Sequence, residues 1–352
     1  MSLRKPTLQI EAVRRRRVSV SPESLLRLEP QNNHFIPIVR PAIPNLDLCS
    51  WAAENRAWIK AGMCMYGGLL FRGFDLRSAA DFERFIQLSS TGLLEYHERS
   101  SPRSRVSGNI YTSTEYPADQ EIFLHNENSY QFTWPLNLYF FCQTPASTGG
   151  ETPLADTREI FRRIDPEVRA RFEAKKILYV RNFSPGIGLP WQEVFQTSER
   201  NVVGEYCRRM EIRFEWKERD GLRISQVRPA MAFHPESGEL VWFNHATFFH
   251  VSTLDPAIRE PLLKQCGEED LPNNTYYGDG TPIETSVLDH LRVAYRQEER
   301  LFEWRAHDLL ALDNMLVSHG RRPYTGPRKV LAGFSSQWNW DYFKHPVNTN
   351  KC

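Results

Sequence analysis

Nothing in this chain of 352 residues pairs its cysteines: the six lie far apart, at Cys49, Cys64, Cys142, Cys207, Cys266 and Cys352, with no CxxC among them. That spacing excludes a zinc ribbon, offers no disulfide framework, and fits a reducing compartment. Long apolar runs are missing too. No segment approaches the roughly 18 apolar residues of a membrane span, and the basic N-terminal stretch is not followed by the apolar stretch of a secretory signal. A cytoplasmic protein with no membrane partner is expected. Excess charge is also lacking, since Lys and Arg number 44 against 43 Asp and Glu. That balance gives no global field to draw in nucleic acid. The one basic run, Arg14 to Arg17, reads as a solvated arm.

Repeats and low-complexity segments are absent as well, which excludes a solenoid. What is present is ordinary globular material, with 41% hydrophobic and 25% charged residues, enough to bury a sizeable core. The Pro- and Asn-rich stretch Pro30 to Pro44 reads as a loop leading into a domain. The expected organisation is therefore an N-terminal arm and lead-in loop at 1–45, then a single domain at 46–345.

Two helices open that domain. Asp47 is a cap for apolar positions Leu48, Trp51, Ala52, Trp58 and Ile59 at helical spacing, and Ser78 with Asp81 forms a capping-box start before Phe82, Phe85 and Ile86. Leu69 to Phe71 reads as a buried strand between them. From Gly108 the texture turns to β. Short strands are expected at Ile110–Tyr111, Ile122–Glu127, Leu136–Cys142, Ile177–Asn182, Ile212–Trp216, Leu240–Phe243, Ala306–Leu312, Met315–Ser318 and Lys329–Gln337. Helical insertions are expected at Thr157–Ile164, Pro166–Ala174, Glu199–Met210 and Val287–Trp304. Many short strands with outer helices indicate a mainly β sandwich or jelly roll.

Within this β texture lies Phe123-Leu124-His125-Asn126-Glu127. In extended chain, residues two apart project to one face, so His125 and Glu127 point the same way. On a helix they would diverge by about 200°. The pair can hold one ion only in extended or turning chain. An oxygen-activating iron(II) site needs a second histidine beside one carboxylate, with the opposite positions left open. Among the ten histidines His319 is the best candidate, because it closes the apolar stretch Asn314 to Ser318 and is followed by Gly320.

The ordered set of motifs is more specific than any one of them. Phe123 to Tyr130 (FLHNENSY), Thr148-Gly149-Gly150-Glu151-Thr152, and His319-Gly320-Arg321 with Arg328 beyond it resemble the taurine dioxygenase (TauD/TfdA) family. Tyr116-Pro117, Gly188-Leu189-Pro190-Trp191-Gln192 and Trp242-Phe243-Asn244 further resemble hydroxylases of syringomycin-type peptide antibiotic pathways. The similarity runs from about Gly67 to Trp340.

The resemblance implies a double-stranded β-helix, the clavaminate synthase-like jelly roll, with Fe(II), 2-oxoglutarate and O2 as its chemistry. It implies His125, Glu127 and His319 as metal ligands, and Arg328 with Thr152 as the partners of the distal carboxylate of 2-oxoglutarate. An arginine suits that task because its planar fork meets a carboxylate with two parallel hydrogen bonds. Glu127 stands where many members carry Asp, one methylene longer. Related halogenases leave that carboxylate out, so its presence argues for hydroxylation or desaturation. The implied substrate is an amino acid or aminoacyl group in secondary-metabolite biosynthesis, free or tethered to a peptidyl carrier protein. Arg208, Arg209, Arg321 and Arg322 are candidate rim residues for an acidic carrier, although a solvated or structural role is the plainer reading of Arg321 and Arg322.

Other residues carry weaker signals. His245 and His250 share no strand or helix face and read as packing groups. Gly186 and Gly188 lack the GK[ST] of a phosphate loop and read as a turn near the site mouth. Glu151 reads as structural. Two rival functions remain open at this point: a non-catalytic metal-sensing jelly roll, and a zinc hydrolase built on the same three ligands.

Overall fold

The computed structural model describes residues 22–30, 35–95, 98, 103–186 and 188–344. The Arg14 to Arg17 run and Cys352 lie outside them. The largest sheet has eight strands in the order Leu26–Glu29, Ile38–Pro41, Gly68–Phe71, Leu309–Asp313, Thr133–Thr144, Lys329–Asn339, Ile110–Thr112 and Arg105–Ser107. Its spine is the long antiparallel pair Thr133–Thr144 and Lys329–Asn339, in one register from Val330 opposite Cys142 to Asn339 opposite Thr133, with a shift between Lys329 and Val330. A three-stranded sheet, Leu154–Asp156, Val317–Arg321 and Ile122–His125, and a four-stranded sheet centred on Ile177–Phe183 and Gly221–Arg228 supply the opposing layer. This is the double-stranded β-helix expected from the sequence.

Strand periodicity explains why the central strands read as continuous apolar runs. Leu136, Leu138, Phe140, Leu310, Leu312, Val330, Ala332 and Phe334 face inward, onto Leu154, Val317, Val241 and Phe243. The alternate residues Tyr139, Phe141, Leu309, Ala311 and Leu331 face outward, onto Trp51, Ile59, Met63, Phe82 and Phe85 of the first helices. Successive side chains point to opposite faces, and here both faces are covered.

The helices start where their caps are. The Asp47 side chain accepts the Cys49 and Ser50 amides, and Ser78 and Asp81 form a complete capping box. The first expected helix is broken at Asn55 into Leu48–Glu54 and Arg56–Tyr66. The second piece ends at Gly67 with φ 77°, where an added Cβ would come within 2.6 Å of a Val317 methyl. A left-handed residue in that space has to be glycine.

Several boundaries differ from the sequence reading. The strand expected at Ile122–Glu127 stops at His125, leaving Glu127 in a turn. The helix expected to reach Trp304 ends at Glu298, and the following strand begins at Leu309 rather than Ala306. Strands Leu26–Glu29 and Ile38–Pro41, inside the expected arm, extend the large sheet. No helix among the described residues is long and apolar enough to cross a membrane.

Candidate metal centre

Strand pairing brings the distant histidine to the HxE pair. His319 lies directly opposite His125 in the antiparallel pair of Val317–Arg321 with Ile122–His125, and the register then shifts between His319 and Arg321. The two imidazoles sit 4.5 Å apart, centre to centre. Glu127 enters from the turn after His125, and its Oε2 is 3.9 Å from His319 Nε2. His125, Glu127 and His319 are all buried, and each offers a ligand atom within 4.8 Å of the others.

The local hydrogen bonds prepare these side chains for a cation. His125 Nδ1 lies 2.9 Å from the Phe123 carbonyl, which can only accept, so that nitrogen carries the proton and Nε2 keeps its lone pair. Burial pushes the His125 imidazole below its ordinary pKa, against the opposing pull of Glu127. His319 is held well below its ordinary value, by burial first and by neighbouring His125 and Arg103 next. Neutral imidazoles are the form that binds metal. Two neutral histidines and one carboxylate on one side of a buried space fit iron(II), whose oxygenase sites use this donor set.

Beside the metal position lies a narrow cavity lined by His125, His319, Phe140, Thr152 and Arg328. Leu154, which pairs with His319, carries Thr152 to it. Arg328 Nε donates to the Gly150 carbonyl at 3.1 Å, which leaves the outer nitrogens of its fork for a carboxylate. Gly150 has φ 73°, and a Cβ there would meet Arg328 Cδ at 3.1 Å, so the approach of the arginine depends on this glycine. Burial brings the Arg328 guanidinium down to about 10, still protonated at neutral pH. The cavity is small, about 30 Å³.

A second cavity, of about 640 Å³, opens on the other side of His125 and Glu127. Its walls include Phe183, Leu189, Phe248 and Leu254, with the buried Arg181 among them. The Phe248 ring stacks on His125 at 4.3 Å between centroids, so the cavity floor is an aromatic face against the His125 imidazole. Gly188 and Leu189 line this cavity, which places the glycine turn at the site as expected.

The remaining candidates fall out as follows. Arg321 is buried and donates to the carbonyls of Tyr116, Pro117 and Gln120, so it clamps a loop and is no rim residue. Arg322 is paired with Glu121 and Glu299. Arg208 and Arg209 are exposed on their helix and do not line either cavity. His245 is buried with Nδ1 2.6 Å from Ser129 Oγ, and His250 Nδ1 accepts the Ser252 amide; neither belongs to the ligand set. Three residues of the site carried no sequence signal: Arg103, whose Nη2 lies 2.8 Å from Glu127 Oε2; Asn314; and Trp304, which donates to Thr152.

Two histidines and a carboxylate converging inside a double-stranded β-helix define the class of mononuclear non-haem iron oxygenases. The chain belongs to the TauD/TfdA family: the family model described as taurine catabolism dioxygenase TauD, TfdA family matches residues 32–334. It is 41% identical over 264 residues to the dapdiamide synthesis protein DdaC of Enterobacter agglomerans, covering 75% of this chain and 80% of the relative. It is 31% identical over 281 residues to a clavaminate synthase-like protein of Arabidopsis thaliana, covering 76% and 80%. Among solved structures, PvcB of Pseudomonas aeruginosa superposes with a TM-score of 0.53 at 16% identity, over 90% of this chain and 92% of that one. At that identity it shows a shared fold. Family membership makes the protein an Fe(II)- and 2-oxoglutarate-dependent dioxygenase that consumes O2, which sets aside the sensor and zinc-hydrolase readings.

Proposed function

We propose that His125, Glu127 and His319 hold the iron, that Arg328 and Thr152 hold the distal carboxylate of 2-oxoglutarate, and that the substrate occupies the 640 Å³ cavity. The substrate is an amino acid or aminoacyl group, free or tethered to a peptidyl carrier protein, hydroxylated or desaturated at an unactivated carbon in secondary-metabolite biosynthesis. The observation that carries this reading is the meeting of three buried ligand atoms within 4.8 Å, between one cavity with an arginine–threonine pair and a larger one. A relative named for dapdiamide synthesis supports the biosynthetic setting.

When bound, iron and 2-oxoglutarate activate dioxygen and supply the oxidant that takes hydrogen from the substrate, with succinate and carbon dioxide as co-products. This chain's residues do the rest. The His125 proton is pinned on Nδ1 by Phe123, so the ring cannot flip its tautomer during turnover. Thr152 Oγ1 accepts the Trp304 indole N–H at 3.0 Å, which leaves the threonine's own proton to donate to a carboxylate. Phe248, Phe183 and Leu189 keep water from the face where hydrogen is removed.

The test is anaerobic addition of Fe(II) and 2-oxoglutarate, watched for the weak visible charge-transfer band of the bidentate complex. Wild type should give the band and release succinate on aeration; Arg328→Ala should weaken it and Glu127→Ala abolish it. A wild type with neither band nor succinate refutes the site. Succinate release stimulated by carrier-bound aminoacyl groups, and not by free amino acids, decides for the tethered form.

A further inference from the structure

Arg103 lies outside every motif in the sequence, yet its side chain is only 3% exposed and its Nη2 stands 2.8 Å from Oε2 of Glu127, itself 2% exposed. We propose that Arg103 is a positioning residue for the iron carboxylate: it holds Glu127 at Oε2, the oxygen that faces His319, and so fixes where the ligand arm ends. This rests on the reading that His125, Glu127 and His319 form the metal site.

The argument begins with the length of the ligand arm. Glutamate has one more rotatable bond than aspartate, and its backbone in this turn fixes only where the arm starts. Fixing the far end takes a partner for the carboxylate. Arg103 is suited to that because it is itself held from the other side. Its guanidinium lies over the Phe334 ring at 5.3 Å, and Phe334 belongs to the spine of the large sheet.

The backbone beside it is tied down too. The Ser104 amide donates to Thr112 Oγ1 at 2.9 Å, the Thr112 amide donates back to the Ser104 carbonyl at 2.8 Å, and Arg105 pairs with Tyr111. The sheet thus reaches Glu127 through a second route, independent of the strand that carries His125. Arg103 also lines both the narrow cavity and the large one. It stands where co-substrate and substrate spaces meet, next to Glu127, which lines the large one.

A different role for the same contact makes the opposite prediction. If Arg103 only filled the metal position until iron arrived, its removal would tighten metal binding by lifting a competitor. Positioning requires the reverse, because partners that orient a ligand are worth about 10- to 100-fold in metal affinity.

The experiment is titration of the metal-free protein with Mn(II), following the loss of the free-ion EPR signal, with no turnover involved. Wild type should bind, Arg103→Met should bind about 10- to 100-fold more weakly, and Arg103→Lys, which keeps the charge and loses the planar fork, should fall between. Melting temperatures of the metal-free proteins separate this from a general loss of structure, because a positioning role moves the dissociation constant in protein that still melts cooperatively. Binding as tight as wild type, or tighter, in either folded variant overturns the proposal. Failure of wild type itself to bind Mn(II) overturns the metal-site reading, and the proposal with it.

Discussion

Asn314 grips the backbone of Glu127 on both sides: its Oδ1 accepts the Glu127 amide at 2.8 Å, and its Nδ2 donates to the Glu127 carbonyl at 2.8 Å. The same Nδ2 also donates to the Pro135 carbonyl at 2.8 Å, and the Asn314 carbonyl accepts the Asn126 side chain at 2.6 Å. One buried amide therefore joins the turn carrying Glu127 to the turn leading to His319. Asn314→Leu keeps the volume and removes these side-chain bonds, leaving backbone groups buried without them. A loss of about 3 kcal/mol or more is expected, read by urea unfolding. A loss below 1 kcal/mol would mean that water or a shifted turn replaces the amide.

In the proposed site, the Trp304 indole acts on 2-oxoglutarate through Thr152. By occupying an acceptor lone pair of the hydroxyl, it aims the Thr152 proton into the narrow cavity. Trp304→Phe keeps an aromatic ring and loses the N–H. The expected effect is a KM for 2-oxoglutarate raised about 5- to 10-fold, the worth of one net hydrogen bond, with Mn(II) affinity unchanged. A parallel fall in metal affinity would show that Trp304 supports the whole site and does not act through Thr152.

Arg72 and Asp308 form a two-pronged buried pair at 2.9 and 2.6 Å, joining strand Gly68–Phe71 to the residue before Leu309–Asp313. Arg72→Met would leave the carboxylate buried without its cation. The expected cost is about 3 to 5 kcal/mol, and Arg72→Met with Asp308→Leu should recover much of it. Additive losses in the double variant would count against this.

The three residues that meet as a possible ligand set were legible in the sequence because their logic is local in two places. An HxE pair in β-like chain states its own geometry, and His319 sits at the end of an apolar run. Thr152 and Arg328 were singled out through the motifs around them, and both line the narrow cavity. Arg103, Asn314 and Trp304 were not, since each acts across the fold on a residue 24, 187 and 152 positions away. Polar side chains do not announce such partners. Arg321 was open for the same reason: the sequence offered a solvated or structural role and a place on the rim, and the Tyr116 to Gln120 loop folded over it makes it structural. The helix break at Asn55 was hidden because the apolar spacing continues through it.

Acid should loosen the protein through its buried histidines, and His250 is where this can be isolated. Burial, and then the nearby Arg292 charge, bring its pKa down to about 4, while an unfolded histidine titrates near 6.5. Between those values the unfolded chain binds a proton that the folded one refuses, so stability falls as pH drops from about 6.5 toward 4. Above 6.5 both states are neutral and the contribution is constant. The His250 Nδ1 accepts the Ser252 amide at 3.1 Å, a bond that the Asn side chain can also make without titrating. In the metal-free protein, His250→Asn should therefore flatten the slope of unfolding free energy against pH in this window by up to about 1.4 kcal/mol per pH unit, one proton's worth. An unchanged slope would mean that His250 is protonated as readily in the folded state as in the unfolded one.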